Sequence, residues 1–204
     1  MGTRGSVIII QDKKAKGYYN QYDCYPDGLG EELIEELKKV DKVKDGWKQF
    51  MENMKKVKLV KESEKPSEEV QKKYKENGFY SSNVSTGSSE EWYCLLRELQ
   101  GAKYIRAIMA GKIEHMVDGT NFIQFSLSCE YAYVVDLDNM VLEFYKGFQK
   151  KPQKGNRFGE KKAEGYFPCA KVGQLSLKGI SDDDMAVEIM NEVYEKFSKE
   201  EEEN

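Results

Sequence analysis

Phe125-Ser126-Leu127-Ser128-Cys129-Glu130-Tyr131-Ala132-Tyr133-Val134-Val135-Asp136-Leu137 is the stretch that decides the fold. Its large apolar side chains recur at every second position. Successive side chains of a strand point to opposite faces, so this alternation predicts a strand with one face in a core. Asp138-Asn139 supplies turn chemistry, and residues 140–145 return as the second arm of a hairpin. Near the start of the chain, Val7-Ile8-Ile9-Ile10 is an unbroken β-branched run. It reads as a strand buried on both faces, joined across Asp12-Lys13-Lys14 to a partner over residues 17–20. Residues 166–177 offer a further strand, with Pro168 suited to its start or to a sheet edge.

Between these β segments the apolar spacing is helical. Pro26-Asp27-Gly28 makes a turn, after which Leu29, Leu33, Ile34, Leu37 and Val40 share one helical face. Trp47, Phe50, Met51, Met54 and Val57 mark a second helix by their spacings of three and four. Ser88 and Glu91 form a capping box ahead of Trp92, Leu95, Leu96 and Leu99; Gly101 stops that helix, and Ile105, Ile108 and Met109 continue helically. Ser181 and the aspartates after it cap a last helix bearing Ile189, Met190, Val193 and Phe197. The expected class is α+β: a largely antiparallel sheet of two hairpins plus an extra strand, covered by helices. All 204 residues are expected in one domain with one core. Residues 61–89 would form a polar, mobile insertion, and 198–204 a frayed acidic tail.

Composition narrows the function classes. With 39% hydrophobic and 12% aromatic residues, the chain has enough apolar mass to fold, and no run is long enough to span a membrane. A net charge of −4 disfavours bulk nucleic-acid binding. Cys24, Cys94, Cys129 and Cys169 are far apart with no Cys-x-x-Cys pair, and His115 is the lone histidine, on what reads as a helical segment. That set suggests reduced thiols and neither a metal site nor a cofactor. A cytoplasmic setting, or the inside of a virus particle, is expected.

The chemistry-bearing residues crowd into the first thirty positions. Thr3, Arg4, Asn20, Asp23 and Cys24 are the catalytic candidates if the protein is an enzyme. The competing reading makes Arg4 and Asp23 a structural ion pair across the first hairpin, with Cys24 a small half-buried residue. Arg97 is expected to reach Glu130 or Asp136. Gly2 with Ser6 fits the N-myristoylation pattern, the one route by which weak membrane association is expected. Lys150, Lys151, Lys154, Arg157, Phe158, Lys161 and Lys162 form a basic loop that could touch phosphate, an acidic partner or an anionic lipid surface.

Four segments carry a resemblance. They are residues 1–5; Tyr19-Asn20-x-x-Asp23-x-Tyr25-Pro26-x-Gly28-Leu29-Gly30; Trp92-Tyr93-x-Leu95-Leu96-Arg97-x-x-Gln100-Gly101; and residues 129–138. Together they resemble a family found in phages, giant viruses and assorted microbes, for which no activity is established. The resemblance implies kinship and a virus-associated setting rather than a chemistry. Where that family's pattern has serine after Asp23, this chain has Cys24. The opening hairpin followed by Asn20 and Asp23 is also similar to the start of choloylglycine-hydrolase-like enzymes, which attack amides with an N-terminal nucleophile beside its own α-amino group. Gly2 offers no such nucleophile, and Thr3 would serve only after two residues were removed. The leading expectation is therefore a non-catalytic, virus- or phage-associated binding or accessory protein with a protein partner, a minor virion component being one form of it. An amide hydrolase using the residue 3–24 cluster is the alternative.

Overall fold

The computed structural model describes residues 2–81, 83, 88 and 90–202. Residues 82, 84–87 and 89 of the serine-rich part of 61–89, and 203–204 of the acidic tail, lie outside the described residues. Among the described residues, seven strands and six α-helices follow in the order β1 (Gly5–Gln11), β2 (Lys14–Asn20), α1 (Glu31–Lys42), α2 (Gly46–Lys56), β3 (Lys58–Val60), α3 (Glu68–Glu76), α4 (Trp92–Leu95), α5 (Lys103–Met109), β4 (His115–Val117), β5 (Tyr131–Asp136), β6 (Val141–Lys146), β7 (Ala170–Ser176) and α6 (Ala186–Glu202). The protein is α+β, with a five-stranded sheet in the order β2-β1-β5-β6-β7. Three of its four strand pairings, β1–β2, β5–β6 and β6–β7, are antiparallel, but β1 and β5 pair in parallel at the centre, Gly5 opposite Tyr131. The sheet is thus mixed, because two segments far apart in the chain meet through their most apolar strands. β3 and β4 form a separate parallel pair that three-residue strands cannot announce by periodicity.

The period-two reading of 125–137 is right only from Tyr131 onward. Thr120–Gln124 is a turn of 3-10 helix, and Phe125 lies in the loop that follows. Ser126 is fully buried while Phe125 and Leu127 are exposed, so alternation persists there without a ladder. The Asp12-Lys13 turn of β1 and β2 has positive φ at both residues, which suits a tight two-residue connection. Asp138 secures it by accepting both backbone amides at 2.8 Å.

Alternation along β1 divides the interior. Val7 and Ile9 join Tyr133, Val135 and Phe144 under helices α1, α2 and α6, in a cluster that also holds Trp92 and Tyr74. Ile8 and Ile10 face the other way, with Cys129, Ala132, Val134, Tyr145 and Cys169. One shared core is therefore replaced by two, one on each face, because β1 and β5 are covered on both sides. The described residues of the 61–89 segment are tied in at several points, Glu62 O and Glu64 O accepting the Tyr93 and Trp92 amides and Phe79 O the Glu98 amide. Tyr74 of α3 is fully buried, accepts the Glu114 amide at 2.9 Å and lies 2.9 Å from His115 Nδ1. The last helix starts five residues after Ser181, and Asp183 rather than Ser181 takes the lead-in amide of Met185. It remains helical to Glu202, through most of the tail expected to fray.

Candidate functional site

Asn20 ends β2 and is buried beside the turn that leads into α1. Its Oδ1 accepts the Gly101 amide at 2.8 Å, while its Nδ2 donates to Tyr22 O at 2.6 Å and lies 3.0 Å from Cys24 Sγ. The Cys24 amide closes the cluster on Thr3 O at 3.2 Å. Every polar atom of Asn20 is thus committed to holding backbone. Cys24 is fully buried, and its thiol is pushed up to about 12, first by burial and then by the charges of Glu130 and Asp23, against the lowering hydrogen bond from Asn20. A thiol held that high is overwhelmingly protonated at neutral pH, whereas the thiolate is the nucleophilic form.

Arg4 and Asp23 do not pair. Asp23 has φ +53, which turns it outward; it is exposed and accepts the Tyr25 hydroxyl at 2.6 Å. In water its carboxylate needs no cation, so the desolvation argument for an ion pair does not apply. Arg4 takes part instead through its backbone, its amide donating to Glu130 Oε1 at 3.3 Å and its carbonyl accepting the Glu130 amide at 2.9 Å. His115 is not on a helix. It lies in β4, its ring 4.4 Å from that of Trp92, and Tyr74 donates its hydroxyl proton to Nδ1 because the hydroxyl oxygen already accepts from Glu114. Burial lowers the His115 pKa, which favours the neutral ring in that role.

The basic loop divides into two kinds of residue. Arg157 is drawn inward, 2.9 Å from Asp136 and 2.8 Å from Glu143, both carboxylates being almost wholly buried. Lys171 reaches Glu143 at 2.7 Å and the Tyr145 hydroxyl donates to it at 3.0 Å. Two buried negative charges are thereby matched by two cations. Phe158 packs edge-on against Tyr145 at 5.3 Å. Arg157 and Phe158 are therefore the latch of the loop rather than part of a binding surface, and Asp136 is Arg157's partner rather than Arg97's. Lys150, Lys151, Lys154, Lys161 and Lys162 remain exposed.

Two of the segments singled out in the sequence converge on a cleft. Tyr18 and Tyr19 of β2 line it together with Tyr93, Arg97, Gln100 and Tyr104, and Glu62 and Asp118 line it beyond the ends of β3 and β4. The cleft holds about 140 Å³. Tyr18 and Tyr104 stack at 4.2 Å, and the Tyr18 hydroxyl donates to Gly101 O at 2.8 Å, so this part of the lining is fixed by the same Gly101 turn that Asn20 grips. Gly101 has φ +60, which glycine adopts without strain. The Arg97 guanidinium lies 5.3 Å from the Tyr93 ring centre and makes no ion pair among the described residues. Burial raises the Tyr19 pKa, and the positive charges of Arg4 and Arg97 act against that rise. The arrangement can offer one ring tyrosine side chains, a cation and two carboxylates.

A wider opening of about 490 Å³ lies beside Asp136, Asn139 and Arg157. Its buried charges are already neutralised by each other, so it has less to offer a ligand. Tyr19, Tyr93, Arg97 and Gln100 were legible as motif residues. Glu62 and Asp118 were not, because only the β3–β4 pairing brings them together, the Asp118 amide donating to Val60 O at 2.9 Å. No group of histidine, cysteine, aspartate and glutamate side chains among the described residues is arranged to hold a metal ion. No protein-family model, no curated protein and no solved structure was found to match the chain.

Proposed function

We propose that the protein is a non-catalytic binding protein whose ligand site is the cleft between Tyr19 and Tyr93. The observation that carries this reading is Arg97, a cation without a carboxylate partner among the described residues, set in an aromatic-walled cleft. A cavity of ~150 Å³ accommodates a benzene ring, so a volume of about 140 Å³ is the size of one aromatic ring. Arg97 suits an anionic group on that ring, and Glu62 with Asp118 suits a cationic or donor group. The chemistry specified is a small zwitterionic aromatic compound.

Calorimetric titration with L-tyrosine, with benzoate and benzylamine as the two half-charged analogues, tests the reading. L-Tyrosine should bind, and Arg97→Leu should weaken it about 10- to 100-fold, the value of one charge-assisted hydrogen bond. Absence of binding by all three probes, or equal binding by Arg97→Leu, would overturn it. The resemblance to a phage and giant-virus family supports a virus-associated accessory role, in the cytoplasm or within the particle. Mass spectrometry of purified particles checks that placement, and intact mass of the protein reports whether Gly2 is acylated or the chain has been trimmed to Thr3.

A further inference from the structure

Among the described residues, five of the seven exposed large hydrophobic side chains, Tyr22, Tyr25, Phe125, Leu127 and Phe148, lie at one end of the sheet. Strand pairing establishes this, because Gly5 pairs with both Asn20 and Tyr131, Tyr131 pairs with Lys146, and Lys146 with Ala170. We propose that the β5–β6–β7 side of this end, with Phe125, Leu127 and Phe148 at its tips and Lys150 and Lys162 beside them, docks on an anionic membrane surface.

Buried Ser126 makes the platform rigid. Its hydroxyl donates to Phe167 O at 2.5 Å and accepts the Gln149 amide at 3.2 Å, and its carbonyl accepts the Phe148 amide at 2.8 Å. Three loops are thereby tied to one residue, with Phe125 and Leu127 projecting on either side of it. Phe148 has φ +60, a conformation unfavourable for a bulky side chain, and yet its ring is 44% exposed. Burial does not compensate that backbone cost, which points to a use for the exposed ring.

The charges beside the tips select the occupant. Lys150 Nζ lies 3.4 Å from the Tyr166 ring centre and Lys162 Nζ 5.0 Å from that of Phe167, and neither makes an ion pair among the described residues. Glu160 and Glu164 are the exposed acids on this loop, Glu160 being bound to the Gly155 amide at 2.6 Å, while Glu130 is half-buried and accepts the Arg4 amide. A second copy docked about a two-fold axis would set these lysines against themselves. Lipid phosphates and carboxylates complement them, and apolar tips on projecting loops suit the boundary between headgroups and acyl chains. The contact requires no acyl chain on Gly2.

Co-sedimentation of the full chain with phosphatidylcholine vesicles, with and without phosphatidylserine, tests the proposal. Binding is expected only with phosphatidylserine, and should fall as salt is raised. Lys150→Ala and Lys162→Ala should each weaken it about five-fold. Phe148→Asn is the informative variant, since asparagine suits the left-handed backbone: its melting temperature should be equal or higher while vesicle binding falls. Equal partitioning onto both vesicles, no binding to either, or unchanged binding by Phe148→Asn would overturn the proposal. So would a dimer in lipid-free solution that Phe148→Asn dissolves.

Discussion

Cys24 and Asn20 show how a residue's surroundings decide what its chemistry can do. A thiol held near 12 by burial should be inert to Ellman's reagent at pH 8 in the folded protein. Cys94, Cys129 and Cys169 are buried too, so native protein should react with none of its thiols and denatured protein with all four. Rapid native labelling of Cys24 would restore it as a nucleophile. Asn20→Ala removes the acceptor of the Gly101 amide and should cost about 1–3 kcal/mol, because that amide is left buried and unpaired. Asp23→Asn, at an exposed site, should stay within ~0.5 kcal/mol. Urea denaturation distinguishes the two. The density of polar residues around Asn20 and Asp23 was plain in the sequence, but their burial was not. Asp23 and Cys24 are neighbours that face water and core respectively, and only the positive φ of Asp23 separates them.

At the scale of elements, the loop 149–165 is held by one side chain. Arg157→Leu leaves two buried carboxylates short of a cation and should cost about 3 kcal/mol, the low end for such a pair because a third of Arg157 meets solvent. Burial alone would raise the Asp136 pKa, but hydrogen bonds from Asn139 and Arg157 outweigh it and hold the carboxyl below its ordinary value. A depressed folded-state value means that this stabilisation is complete above the unfolded carboxyl pKa of ~3.9 and is lost as pH falls through the folded value. Acid unfolding should therefore begin at higher pH in Arg157→Leu than in the parent, and coincident acid transitions would contradict the latch. His115 adds a dependence of the same sign. Its folded pKa is lowered by burial, so its contribution is present above ~6.5 and lost on acidification, as protonation of Nδ1 displaces the Tyr74 hydroxyl proton. Protection factors in α3, which correct for the intrinsic pH dependence of amide exchange, should fall between neutral and mildly acidic pH, and that fall should be absent in Tyr74→Phe. The amphipathic spacing of α1 and α2 and the double-faced burial of β1 were readable because each is a long, regular pattern. β3 and β4 were not, since three residues carry no period, and with them went the position of His115.

For the whole molecule, the parallel pairing of β1 with β5 has the largest consequences. It makes the sheet mixed, covers its centre on both faces and joins the first strand to one that begins 126 residues after it. No local pattern specifies that union. Trp92 is packed between Tyr74 and His115 in the larger core, so Trp92→Ala should cost about 3–5 kcal/mol and lower the denaturant midpoint of the whole chain. An unchanged midpoint would mean that this region folds separately from the sheet. The same architecture brings β2 against residues 93–104 and forms the cleft. Intermolecular NOEs from the ring protons of bound L-tyrosine test the cleft as the ligand site most directly. NOEs to the Tyr19, Tyr93 and Tyr104 rings are expected; NOEs to Tyr22 and Tyr25, which border the Asn20–Cys24 loop, would instead return the site to the N-terminal cluster.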